Sequence, residues 1–338
     1  MVHHRIVALE AMHTAPPPFD FPAPHTFDMT VHQRTEAHQL HERIRDATIV
    51  INVVHPIKGE ALSPAVTPHL RLIAVMAAGT DSVDLDACRA RGIRVVNCAH
   101  ANVQSVAEHA LGLYFAARRR TVVMHERTVG SVGDGTEWAA RNTLNPYMRA
   151  AGGRAPLNCD EEVVAIIGNG AIGKRFAQLA RLMDMKVLVA ARKGDSKPAP
   201  ADRVSFGEAL EKATVVVLTC PRSPETMDLM STAEFERMRP EAVVINVSRG
   251  GIVNERALVQ ALRDGKIAGA ATDVFEKEPA LGGEKADSVL LAPDARGLNL
   301  TVSPHVAWFG EKTMENYQRI LAANIIGWLV GKEQNVVA

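Results

Sequence analysis

The stretch EVVAIIGNGAIGKRFAQLARLMDMKVLVA, residues 162–190, decides the fold. It opens with a β-branched run, 163–167, and the glycine group GNGAIG follows without a spacer. A helical period then takes over, apolar at Ile172, Phe176, Leu179 and Met183, before a second β-rich run at 186–190. Strand, tight turn and amphipathic helix in that order open a βαβ unit of the dinucleotide-binding kind. In such a turn Gly168 permits the bend, Gly170 lets the backbone approach a pyrophosphate, and Gly173 allows helix to pack closely on strand. Ala171, Ile172 and Gly173 open the helix, and their N–H groups face a bound diphosphate. A tight βα turn that binds nothing is the plain alternative.

Outward from this unit the same grammar continues. Strands are expected at 214–219, 242–247 and 268–273, and upstream at 5–9, 48–53, 72–76 and 93–96, with helices near 35–45 and 84–91. Residues 105–127 are apolar on one face and predict a single long connecting helix, whereas 128–161, rich in Gly, Asn and Pro, predict an irregular arm. After a loop at 279–297, NLTVSPH supplies a strand and 311–329 a final helix long enough to return to the first domain. The expectation is therefore an α/β protein with two Rossmann-like parallel-sheet domains, one flavodoxin-like and one doubly wound. Residues 1–104 and 306–338 would form a discontinuous substrate-binding domain, and 105–305 the dinucleotide-binding domain.

Bulk properties agree with this. The chain has 338 residues, more than the ~250–300 at which single cores stop growing. With 47% hydrophobic and 22% charged residues it can fill two cores and is not a disordered polymer. A formal net charge of zero gives no bulk attraction to nucleic acid or an anionic membrane, so a bound anion needs a local site. This favours a small ligand. Cys88, Cys98, Cys159 and Cys220 are widely spaced, with no CxxC pair, so neither a disulfide framework nor a metal site is expected. The opening MVHHRIVALEA lacks the apolar core of a signal peptide, no apolar run reaches ~18 residues, and QNVVA is no anchoring signal, so a cytoplasmic location is expected.

Three more segments carry a family resemblance: AAGTDSVDLDA at 77–87, NVSRGGIVNERALVQAL at 246–262, and AGAATDVFEKEP at 268–279 followed by TVSPHVAW at 301–308. With GNGAIG and SVAEHALGL they make a chain that resembles the D-isomer-specific 2-hydroxyacid dehydrogenases over nearly its whole length. That family includes D-glycerate, D-lactate and D-3-phosphoglycerate dehydrogenases, formate dehydrogenase and the glyoxylate/hydroxypyruvate reductases. The resemblance implies a cofactor domain inserted into a substrate domain, an active site in the cleft between them, and a homodimer built mainly through the cofactor domain. It also implies NAD(P)-dependent interconversion of a small 2-keto acid and its D-2-hydroxy acid.

Carried over residue by residue, the family's catalytic arginine falls on Arg249, its glutamate on Glu278 and its histidine on His305. Ala78 and Gly79 match the loop whose N–H groups hold the substrate carboxylate. Asp273 matches the contact to the nicotinamide carboxamide, and Val247, Cys220 and Pro221 the lining of the cofactor cleft. The chemistry needs such residues. A guanidinium meets carboxylate and carbonyl oxygen bidentately, an imidazolium supplies the proton, a carboxylate orients the ring, and hydride comes from nicotinamide. Every other histidine lies at or before His125. Taken singly, His305 reads as structural, Arg249 as a helix-start ion pair and Glu278 as a solvated charge.

Where many relatives follow the histidine with Gly-Ser or Gly-Ala, this chain has Ala307, Trp308 and Phe309. His-x-Ala-Trp is similar to the glycerate dehydrogenase and hydroxypyruvate reductase branch, which points to hydroxypyruvate or glyoxylate. A larger sugar-derived 2-keto acid stays open, as does a dinucleotide-sensing, corepressor-like binding protein. Formate dehydrogenases carry Gln at the position of Glu278, which weighs against formate. For the cofactor, NAD sites place an acid ~20 residues after the glycine motif to accept the ribose 2′-OH. Here that position is Ala191, followed by Arg192 and Lys193, two cations suited to a 2′-phosphate. NADP(H) is expected to be preferred, with NAD(H) possible through Asp195.

Overall fold

Short runs of Val, Ile and Ala, buried on both faces in the central strands, build two parallel sheets in the computed structural model, which describes residues 1–132, 135–150, 152–195, 199–279 and 287–338. Each sheet anchors one unit. Met1–Asn102 and Phe309–Ala338 belong to the first, and Val103–Glu278 with the stretch ending at Trp308 to the second.

In the first unit β1 (Val2–Ala8), β2 (His25–Val31), β3 (Ile49–Asn52), β4 (Leu72–Val75) and β5 (Arg94–Asn97) lie in the order β2-β1-β3-β4-β5, all parallel. This is the flavodoxin-like winding. Helices α1 (Leu40–Ile44) and α2 (Leu85–Arg91) flank it. The Asp84 carboxylate caps α2 by accepting the Ala87 N–H, and Gly92 ends it in the left-handed region. Leu9, Ile44, Ile57, Ile73 and Val95 are fully buried in this unit's core. Strand β2 was not expected. Its sequence HTFDMTV is half polar because it is an edge strand, exposed along much of its length. Pairing along that edge also starts β1 at Val2, three residues before the expected position.

The second unit opens with α3 (Val103–Arg118) and α4 (Thr121–Val129), then the short antiparallel pair β6 (Ser131–Val132) and β7 (Gly135–Thr136), and helices α5 (Glu137–Arg141) and α6 (Asn145–Met148). The single long helix expected at 105–127 is therefore two. Near the break Arg118 buries its guanidinium against Glu162 and the carbonyls of Glu241 and Thr214, and Arg120, with φ of 50°, reaches the Ala268 carbonyl. Arg118 is still helical, with the Arg119 N–H on the Phe115 carbonyl at 2.8 Å, and the turn itself falls at Arg120.

The sheet proper comprises β8 (Val163–Ile167), β9 (Lys186–Val189), β10 (Val215–Leu218), β11 (Val243–Asn246), β12 (Gly269–Thr272) and β13 (Leu300–Val302), ordered β13-β12-β11-β10-β8-β9 and parallel throughout. A lone bridge from Ala190 to Val204 extends the β9 edge. On one face α3 and α7 (Ala171–Leu182) cover the strands, with Ala110, Tyr114, Phe176 and Ala180 in the core. On the other, α8 (Phe206–Lys212), α9 (Thr232–Arg237) and α10 (Glu255–Arg263) contribute Leu210, Phe235 and Leu258. The strand order reverses between β8 and β10, where a doubly wound sheet opens a crevice at its carboxyl ends. Helix α11 (Glu311–Leu329) packs on β4 and β5 through buried Tyr317, Leu321 and Ile325. No helix of the described residues is long and apolar enough to cross a membrane.

Candidate active site

The glycine turn sits at that switch point. Gly168 has φ of 103°, and a Cβ there would run into the backbone of Cys220. A Cβ on Gly173 would collide with the Gly168 carbonyl and press on Thr219 Oγ1 and Ile166. Thr219 Oγ1 donates to the Gly168 carbonyl at 2.6 Å and holds the turn from the next strand. Gly170 differs: nothing lies within 4 Å of its missing side chain. It is the N-cap of α7 and carries no side-chain cap, so the first helical N–H groups, from Ala171, Ile172 and Gly173, point outward. An uncapped helix end behind an open glycine fits a diphosphate. Cys220, whose backbone meets Gly168, and Val247 are both under 9% exposed, and Pro221 follows Cys220. Burial pushes the Cys220 thiol up.

At the end of β9, Ala191 is buried. The two cations that follow part company. Arg192 is exposed, its carbonyl accepts the Asp195 N–H at 3.4 Å, and its charge helps hold the Glu225 carboxyl below the usual range. Lys193 departs from the expectation for it: its ammonium lies 2.9 Å from Glu234 and donates to the Leu229 carbonyl at 3.1 Å. Glu234 is held there by its capping bond to the Ser231 N–H, so Lys193 has a resident partner.

Arg249, Glu278 and His305 all lie in the second unit. Arg249 is half-buried on the turn after β11, with Asn246 Nδ2 bonded to its carbonyl at 3.2 Å and its own Nη1 on the Ser248 carbonyl at 2.9 Å. Glu278 Oε1 accepts the Phe275 N–H at 3.0 Å, and Oε2 lies 2.7 Å from His305 Nδ1. Burial on its own would raise the Glu278 carboxyl. The hydrogen bond and charge of His305, the Phe275 N–H and the nearby Arg249 outweigh it and hold the group below the usual carboxylate range. With Nδ1 on the carboxylate, Nε2 is the ring nitrogen of His305 that this pair leaves over. Its backbone takes a left-handed φ of 54°, gripped by the Asp273 carbonyl at 2.8 Å and by Trp308 Nε1 on its own carbonyl at 3.0 Å.

Asp273 is only 1% exposed and acts as a hub. Its Oδ1 accepts the Ser303 hydroxyl at 2.6 Å and the Val306 N–H at 3.0 Å, and its Oδ2 accepts the Ala307 N–H at 2.8 Å. His109 of α3 reaches the same cluster, with Nε2 2.9 Å from Ser303 Oγ. Sequence reading passed over His109 and Ser303, since nothing in SVAEHALGL marks a partner 194 residues away. Ala78 and Gly79 follow β4 in the first unit, where Asn97 Nδ2 holds the Ala78 carbonyl at 2.7 Å. Among the described residues no cluster of His, Cys, Asp and Glu has the makings of a metal site.

Residues 114–307 match the family model described as D-isomer specific 2-hydroxyacid dehydrogenase, NAD binding domain. A glycerate dehydrogenase of Methylorubrum extorquens is 36% identical over 301 residues, 88% of this chain and 87% of that protein. A hydroxypyruvate reductase of Blautia hydrogenotrophica is 29% identical over 311 residues, 90% of this chain and 88% of that one. Among solved structures, a glyoxylate reductase from Paecilomyes thermophila has the same fold, with a TM-score of 0.76 at 20% identity over 100% of this chain and 99% of that one.

Proposed function

We propose, from the premise that this chain belongs to the D-isomer-specific 2-hydroxyacid dehydrogenases, that it reduces hydroxypyruvate or glyoxylate to the D-2-hydroxy acid, with NADPH preferred over NADH. The observation that carries the reading is the 2.7 Å pair of His305 and Glu278 with the charge of Arg249 beside it. Bound at the glycine turn, the nicotinamide cofactor supplies hydride to the carbonyl carbon. The chain's residues do the rest. Arg249 holds the substrate carboxylate and polarises the carbonyl oxygen, and His305 delivers its Nε2 proton to that oxygen as negative charge develops there. Glu278 accepts the Nδ1–H and holds the ring in place for the transfer. In the reverse direction His305 takes the hydroxyl proton.

Ala78 and Gly79 are assigned the substrate carboxylate through their N–H groups, and Asp273 the carboxamide in addition to its internal bonds. Arg192 carries the preference for a 2′-phosphate, with Lys193 a weaker contributor while Glu234 holds it. Phe115, Val122, Val129 and Trp138, exposed apolar residues of the second unit, support a homodimer through this unit. Four free cysteines suit a reducing cytoplasm.

The test is a panel of short 2-keto acids with NADPH and NADH, monitored as loss of reduced cofactor. Turnover of hydroxypyruvate or glyoxylate supports the reading, and a larger 2-keto acid turned over in their place would redirect it. No turnover across the panel would remove it.

A further inference from the structure

The cluster around Asp273 contains a histidine that the reaction as described does not use. A carboxylate that is 1% exposed must have its lone pairs satisfied. Asp273 does this with one hydroxyl and two backbone N–H groups, and all three belong to the segment 303–307 that carries His305. Its own main chain joins in, since the Asp273 carbonyl accepts the His305 N–H at 2.8 Å. Asp273 thus fixes the backbone on both sides of a residue held at φ of 54°, a conformation that a histidine does not keep without support.

The Ser303 hydroxyl settles the polarity of the next contact. It has one proton, and an ionised carboxylate only accepts, so at 2.6 Å that proton points to Asp273 Oδ1. Ser303 Oγ is then left to accept, and the group 2.9 Å away, His109 Nε2, must donate. The same ring nitrogen lies 3.5 Å from Asp273 Oδ1 itself, and its side chain is 29% exposed. His109 projects from α3, which is packed against α7, β11 and β12 and so offers a rigid base.

We propose that His109 is a positioning residue for the reaction: by donating Nε2–H to Ser303 it fixes the Ser303–Asp273 pair, and through that pair the backbone that aims His305. The proposal rests on His305 being the proton donor. It makes three residues one unit, and a unit has a kinetic signature. Misplacing a proton donor by a fraction of an ångström acts on the chemical step and leaves the binding of substrate and cofactor nearly intact.

The experiment uses the full chain with whichever 2-keto acid the wild type reduces. His109→Leu removes the donor. Its kcat should fall about 10- to 100-fold, with KM for the keto acid and Kd for reduced cofactor changed by less than about threefold. His109→Gln places an amide N–H near the same point and should recover most of the loss. Ser303→Ala should reproduce the His109→Leu defect, and the double variant should lose no more than the larger single loss, because the two act in series. Wild-type kcat in His109→Leu, equal losses in the Leu and Gln variants, or losses that multiply in the double variant would overturn the proposal. Should His109→Leu not fold, His109→Gln and Ser303→Ala decide it: near-normal kcat in the first with a kcat-only loss in the second supports the unit, and the reverse rejects it. A wild type that reduces no 2-keto acid is a different failure and counts against the functional reading itself.

Discussion

Replacing Glu278 by Gln isolates the charge behind the proton donor. Gln has nearly the same shape, and its amide oxygen can still accept either the Phe275 N–H or the His305 Nδ1–H, both of which Glu278 now satisfies at 3.0 and 2.7 Å. What disappears is the negative charge that faces the His305 ring. A charge-assisted hydrogen bond contributes about 1.5–3 kcal/mol. The His305 and Glu278 side chains are 40% and 31% exposed, so solvent screening places this pair in the lower half of that range. About 1.5–2 kcal/mol translates into a kcat lower by about 10- to 30-fold. The assay is steady-state reduction of the 2-keto acid at saturating cofactor, with cofactor affinity measured separately by fluorescence titration. Affinity should change by less than about twofold, because Glu278 touches no part of the glycine turn. The pH dependence has a definite sign. The folded-state pKa of Glu278 is depressed below its ordinary 4.5, so its stabilising contribution is complete above that value and is lost as pH falls through the depressed one. The melting temperatures of wild type and Glu278→Gln should therefore converge on acidification below the ordinary value. An unchanged kcat, a defect confined to cofactor affinity, or a gap in melting temperature that widens with acid would refute the reasoning.

Other perturbations separate folding from binding. Gly170→Ala should leave the melting temperature nearly unchanged, since its Cβ meets nothing within 4 Å, yet weaken cofactor about 10-fold or more in a fluorescence titration by filling the diphosphate approach. Gly173→Ala should lower the melting temperature, because its Cβ collides with the turn. Arg192→Ala should cut the ratio of kcat/KM for NADPH over NADH by about 10-fold or more, and Lys193→Ala by much less, a comparison made with both cofactors on each variant. Arg118→Leu strands Glu162, whose side chain is 0% exposed, and should cost about 3–5 kcal/mol in denaturant unfolding.

The sequence made the cofactor unit legible because every level agreed there: a β-branched run, glycines at the required offsets and a helical period in direct succession. Arg249, Glu278 and His305 were legible only together, through motifs that fix their order along the chain. The missed features have physical reasons. Strand β2 hides because an edge needs no apolar run. The break between α3 and α4 hides because three arginines read as helix formers, and the left-handed turn at Arg120, whose guanidinium reaches the Ala268 carbonyl, has no mark in the sequence. Lys193 reads as a phosphate ligand until Glu234, 41 residues on, is found beside it. His109 reads as one more helical residue until folding carries it to Ser303.

The central claim, proton delivery by His305 to a 2-keto acid, is tested most directly by comparing wild type with His305→Ala in the oxidation of NADPH driven by hydroxypyruvate. The wild type should turn over, and the variant should retain the fold and the affinity for NADPH while kcat falls about 100-fold or more. A variant that keeps the wild-type kcat would contradict the account.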